Sequence, residues 1–154
     1  MGWVDSLRGS IVGLDTVPLI YFTEENPAYL KVVDPFFKAI EHGDFTVITS
    51  IVTLLEALVL PIRTGDLELT QKYRNFLLDS ENVSTILLSQ EIAEEAAHLR
   101  AFHKIRTPDS IQMATAIIGK ASFFLTNDIR LPSLPNLKTL VLNDLKLESR
   151  EKEL

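Results

Sequence analysis

Five short apolar runs, separated by longer stretches whose apolar residues recur at helical spacing, limit the fold of this chain more than any other feature. The runs are residues 10–14, 45–48, 83–88, 122–125 and 138–142. Each is apolar on consecutive positions rather than on alternate ones, as in Ile11-Val12 and Val47-Ile48. Strands of that kind are buried on both faces, which requires helices above and below a parallel sheet. The expected architecture is α/β, a three-layer α/β/α sandwich with a parallel sheet of about five strands.

The segments between the runs carry their own punctuation. Pro18 suits a first helical turn and opens a brief helix to residue 22. Asp34-Pro35 reads as an N-cap and first helical position, followed by Phe36, Phe37 and Ile40 at helical spacing and by Gly43 as a stop. Thr49-Ser50 can cap a helix over residues 51–60, closed by Pro61 and Gly65, and a further helix covers 66–78. Ser89 caps 90–103, and Thr107-Pro108 starts a helix that runs to Ile118 and stops at Gly119. Residues 1–9 form an arm whose Trp3, Val4 and Leu7 show no period, residues 10–147 a single domain, and residues 148–154 a charged tail expected to stay solvated.

Composition removes several classes of function. A chain of 154 residues is long enough to bury a real core in one domain. Cysteine is absent, so there is neither a disulfide framework nor a thiolate zinc site, and His42, His98 and His103 are too few for an imidazole cluster. Any metal would be a hard ion held by oxygen. No apolar segment approaches the roughly twenty residues of a membrane span, and the expectation is a soluble, cytoplasmic protein. The net charge of −6 argues against a broad electrostatic grip on nucleic acid but leaves room for a local basic rim. The densest basic segment, HLRAFHKIR over residues 98–106, offers Arg100, Lys104 and Arg106 for that role, with a solvated helix face as the bland alternative.

Four acids stand where chemistry is easiest to build. Asp15 interrupts the apolar run SIVGLDTVPLIYF, where an ionised carboxylate costs several kcal/mol unless it is compensated. Glu56 lies on a nearly all-apolar helix, in a stripe with Thr49, Thr53, Leu60 and Arg63 that is either a thin solvent-facing face or a carboxylate aimed at a shared site. Asp109, in the first turn of a helix capped by Thr107, is already explained by the helix dipole, and Asp128 after Asn127 by a turn. Parallel sheets gather strand ends and the following helix starts at one edge, where all four could meet. Two carboxylates 4 Å apart cost about 4 kcal/mol at an effective dielectric near 20, so such a cluster needs bound protons or divalent cations. Mg²⁺ or Mn²⁺ suits oxygen ligands and phosphate substrates, which describes metal-dependent phosphodiester hydrolysis.

LDTVPLIY, SIVTLLEAL, TPDSIQMATA and FLTND, in this order, resemble the motifs of the PIN-domain nucleases, and within them most of all the VapC-type toxin ribonucleases. The resemblance implies that Asp15, Glu56, Asp109 and Asp128 hold one or two Mg²⁺ or Mn²⁺ ions and are catalytic, with Thr16, Thr126 and Asn127 as supporting polar groups. It further implies an RNA substrate, a small antitoxin protein that blocks the site, and a homodimer. Val17-Pro18 stands where the family often has Asn followed by an aliphatic residue. The alternatives are a non-catalytic PIN-like module that binds RNA or protein, and a Mg²⁺-dependent phosphatase with Asp15 as nucleophile. The second alternative lacks the Asp two residues on, where Val17 stands.

Overall fold

The computed structural model describes residues 2–153, with side chains to residue 150. Every strand in it is parallel to its neighbours: β1 (Ile11–Leu14), β2 (Thr46–Ser50), β3 (Val83–Ile86), β4 (Phe123–Thr126) and β5 (Lys138–Val141) form one sheet in the order β3-β2-β1-β4-β5. The helices are α1 (Thr16–Thr23), α2 (Leu30–His42), α3 (Ile51–Thr64), α4 (Leu67–Asp79), α5 (Gln90–His103), α6 (Thr107–Ile118) and α7 (Leu142–Glu153). The chain is an α/β sandwich, as the apolar runs require.

Successive strand residues feed opposite layers. Val12, Leu14, Val47 and Leu125 join a core with α2, α4 and α7, while Phe124 and Ile48 join a second core with α5 and α6. Gly13, between two inward residues of β1, marks the closest helix approach: a Cβ there would lie 2.6 Å from the Ala116 Cβ and 2.9 Å from Phe124 Cδ1. Its missing side chain is what lets α6 lie against the centre of the sheet.

Several starts and stops follow the expected signals. Ser50 and Ser89 accept the amides of Val52 and Ile92, both at 3.1 Å, and Gly43 and Gly65 close α2 and α3 at φ 80° and 69°. Others differ. Asp34-Pro35 does not begin α2, which starts a turn earlier at Leu30, because the turn at Asn26 and the buried Val32 and Val33 extend the apolar face backwards. Pro35 is exposed there, and Asp34 pairs with Lys38 at 2.8 Å instead of capping. Pro61 does not end α3; it is buried within it, and the helix runs on to Thr64, where Gly65 takes the left-handed conformation. Thr107 is the first residue of α6, with Arg106 before it as the cap position. The fifth strand stops at Val141, and Leu142 opens α7, which buries Leu142 and Leu145 and exposes residues 147–150; the side chains of the last part of the charged tail lie outside the described residues.

The N-terminal segment is docked. Residues Trp3–Leu7 form a short 3-10 helix, Trp3 stacks on Phe36 with centroids 5.7 Å apart, and Leu7 is fully buried. No helix among the described residues is long and apolar enough to cross a membrane.

Candidate functional site

The central strand β1 is followed in the chain by β2 on one side and pairs with β4 on the other, so the reversal of strand order falls between β1 and β4. Their carboxyl ends therefore open a crevice, the place where sheets of this kind bind ligands. A cleft of about 720 Å³ lies there, lined among others by Asp15, Glu56, Asp109 and Asp128. The four acids come from the end of β1, the middle of α3, the first turn of α6 and the loop after β4.

Asp15 is the most deeply set, 8% exposed. It is the N-cap of α1: one oxygen accepts the Thr16 amide at 2.8 Å and the other accepts the Thr126 hydroxyl at 2.6 Å. Both donors are neutral, so the negative charge is hydrogen-bonded without being balanced. Burial, with repulsion from Asp109 and Glu56 added, lifts its pKa to about 6. Pro18, the third residue of α1, is buried and needs no amide partner in the first turn, so Val17-Pro18 is accommodated; Val17 itself faces the cleft.

Glu56 is exposed, yet one of its oxygens is held from behind. It accepts the Thr16 hydroxyl at 2.7 Å and the Gln112 amide at 3.1 Å. Gln112, 2% exposed, also donates to Thr16 at 2.9 Å and accepts from Thr53 at 2.8 Å, and Thr53 meets Thr49 at 2.8 Å. The stripe Thr49, Thr53, Glu56 is thus a buried polar column that surfaces only at its carboxylate. Gln112 ties α6 to α1 and α3, and was not among the residues singled out in the sequence; a Gln inside TPDSIQMATA looks like any polar helix position.

The other two acids face arginines. Asp128 accepts Arg130 Nε at 2.9 Å and a terminal guanidinium nitrogen at 2.7 Å, which holds its pKa below the usual carboxylate range. Asp109 makes a single contact of 3.3 Å with Arg106; burial outweighs it and raises the pKa, with Asp128 and Glu56 contributing repulsion. Among the described residues no three acidic or histidine side chains, as they stand, are grouped to hold one ion. The donor set nonetheless fits a hard divalent cation: carboxylates alone, one of them buried without a balancing charge, and two others already drawing cationic groups.

Thr16 and Thr126 touch the acids directly, as described above. Asn127 instead braces the rim, donating to the Tyr21 hydroxyl at 3.4 Å and accepting the Asn143 amide at 3.0 Å. Of the three basic residues expected at a nucleic-acid rim, Arg106 lines the acidic cleft. Arg100 bonds the Ile105 carbonyl at 3.2 Å and borders a different cavity with Leu88 and Ser110, and Lys104 stands exposed in the left-handed conformation after α5. Arg130, absent from the sequence-based choice, lines the cleft instead.

The family model for the PIN domain matches residues 12–137, a span that contains all four acids, β1 from its second residue, and the whole of β2, β3 and β4. The chain belongs to the PIN domain family. Solved structures similar to this PIN domain include a toxin-antitoxin complex from Klebsiella pneumoniae, with TM-score 0.60 and 22% identity over 84% of this chain and 95% of that one. VapBC2 from Rickettsia felis, bound to a DNA fragment from its promoter, gives TM-score 0.65 and 20% identity over 85% and 98%. VapC20 from Mycobacterium tuberculosis, a Sarcin-Ricin loop cleaving toxin, gives 0.61 and 17% over 75% and 87%. No curated protein matches the sequence. At these identities the likeness fixes the PIN fold.

Proposed function

We propose that this PIN domain is a Mg²⁺- or Mn²⁺-dependent endoribonuclease, the toxin of a toxin–antitoxin pair, acting on RNA in the cytoplasm. The observation that carries the reading is the delivery of Asp15, Glu56, Asp109 and Asp128, from four separate elements, to one cleft at the switch point of the sheet. Asp15 supports it further, because an acid kept buried without a counter-charge is a cost that a bound cation would remove.

In this reading the four acids would hold the ion or ions, with Thr16 and Thr126 bonded to them and Asn127 supporting the site through its rim. Bound there, Mg²⁺ or Mn²⁺ would supply Lewis-acid polarisation of a phosphoryl oxygen and an activated water. The protein's own contribution is placement. Thr126 and the Thr16 amide fix both oxygens of Asp15, and Gln112 with the Thr16 hydroxyl fixes one oxygen of Glu56, leaving the other to face the cleft. Arg106 on the rim of the cleft meets the RNA backbone, and Arg100 and Lys104, which do not line the cleft, contact it outside.

Two of the similar structures are described as a toxin–antitoxin complex and as VapBC2, which supports an antitoxin partner for this chain; a homodimer is part of the same proposal. An antitoxin that carries Arg or Lys into the acidic cleft would suit its charge. The test is cleavage of single-stranded and structured RNA in Mn²⁺ or Mg²⁺. Wild type should cut, chelator should stop it, and Asp15→Asn should lose activity by at least about a hundredfold. Wild type and Asp15→Asn equally inert across varied RNAs would favour a binding module without catalysis.

A further inference from the structure

Asp128, proposed above to hold a cation, is at present occupied by Arg130. The Arg130 backbone amide, Nε and a terminal guanidinium nitrogen all go to Asp128, at 3.0, 2.9 and 2.7 Å, and both Asp128 oxygens are taken. A cation that uses Asp128 must displace at least part of this fork. The guanidinium side chain is 69% exposed, so little besides Asp128 restrains it. Arg106, by contrast, touches Asp109 through one nitrogen at 3.3 Å, a contact too long and too single to block the carboxylate.

We propose that Arg130 changes partner during the cycle: it covers Asp128 while the cleft lacks a cation, and turns its fork to a phosphodiester oxygen of the RNA once a divalent ion takes Asp128. This rests on the metal-dependent reading above. The chemistry of the group favours the exchange, because the planar fork that fits a carboxylate through two parallel bonds fits a phosphate equally well. A divalent ion arriving at Asp128 also repels the guanidinium, and an RNA phosphate placed at the cleft gives it a new anion within the reach of one side chain. The short segment from Asp128 to Arg130 favours the motion, since the bond from the Arg130 backbone amide to Asp128 Oδ1 can stay while the guanidinium swings away.

Two measurements read this exchange apart from turnover. Mn²⁺ binding to the protein alone, followed by the loss of the free-ion spin-resonance signal, should tighten about two- to fivefold in Arg130→Gln, because a surface competitor has been removed. Binding of a labelled single-stranded RNA should weaken about tenfold in Arg130→Gln when Ca²⁺ fills the cleft, with the salt slope reduced by roughly one. In EDTA the same substitution should leave RNA binding unchanged, because the fork is then on Asp128. Arg130→Lys, which keeps the charge without the fork, should recover part of the RNA affinity. Unchanged Mn²⁺ affinity together with RNA binding equal to wild type in Ca²⁺ would overturn the role of Arg130 alone. A wild type that binds neither Mn²⁺ nor RNA would overturn the nuclease reading and this role with it.

Discussion

Asp15 is asked to carry a charge where its surroundings prefer the proton. Its pKa of about 6, against the ordinary 3.8, means that the folded protein holds a proton the unfolded chain has lost across that window. Stability therefore falls as pH rises from about 4 to about 6, and above that the full penalty is present. Asp15→Asn should accordingly be more stable than wild type at pH 7.5, by about 1–3 kcal/mol, with the advantage vanishing near pH 4. Urea denaturation at the two pH values checks it; a variant less stable at both would mean that the charge is already balanced. Gln112 makes the opposite case. Gln112→Leu strips partners from Thr16, Thr53 and Glu56 in a buried column and should cost about 1–3 kcal/mol in the same assay. It should also weaken Mn²⁺ binding, because Glu56 loses a bond that aims it.

At the scale of elements, α6 carries both Asp109 and Gln112, and its distance from the sheet is set by Gly13. Gly13→Ala forces a methyl into the space held by Ala116 and the Phe124 ring, so helix or sheet must shift; about 1–3 kcal/mol of stability should be lost. Thermal unfolding with and without Mn²⁺ would separate the two consequences: a displaced α6 should also reduce the stabilisation that Mn²⁺ gives, whereas a purely local adjustment would leave it intact. The strands were legible because burial on both faces leaves an uninterrupted apolar run, and Ser50, Ser89 and Gly43 were legible because capping is local chemistry. Asp34-Pro35 misled because the same pair that starts one helix can sit inside another when the proline faces solvent. The helical nature of residues 142–153 was hidden by their charge; among the described side chains, Leu142 and Leu145 are the ones it buries in the core.

For the whole molecule, the decisive fact is where the charges stand. In a chain of net charge −6, four of the 21 acids line one cleft, and Arg106 and Arg130 stand among them. Asp15 and Glu56 were legible because each breaks an apolar pattern and Asp128 because it follows a strand, whereas Asp109, ordinary in a first helical turn, stood out only through the resemblance carried by TPDSIQMATA. Arg130 and Gln112 were not legible, since a cation after a turn and an amide on a helix break no pattern. Such a cleft should repel RNA until an ion fills it, so RNA affinity should rise at least about tenfold when EDTA is replaced by Ca²⁺. Filter binding or anisotropy at fixed ionic strength would check this, with equal affinity in both buffers arguing that RNA docks elsewhere. In the proposed reading the four carboxylates act together on the same bound ion or ions. Titrating Mn²⁺ into wild type, Asp15→Asn, Glu56→Gln, Asp109→Asn and Asp128→Asn at pH 7.5 tests it most directly. Saturable binding is expected in wild type, with losses of at least about tenfold in the variants, most of all in Asp15→Asn; Mn²⁺ affinities indistinguishable across all five proteins would rule out a shared site.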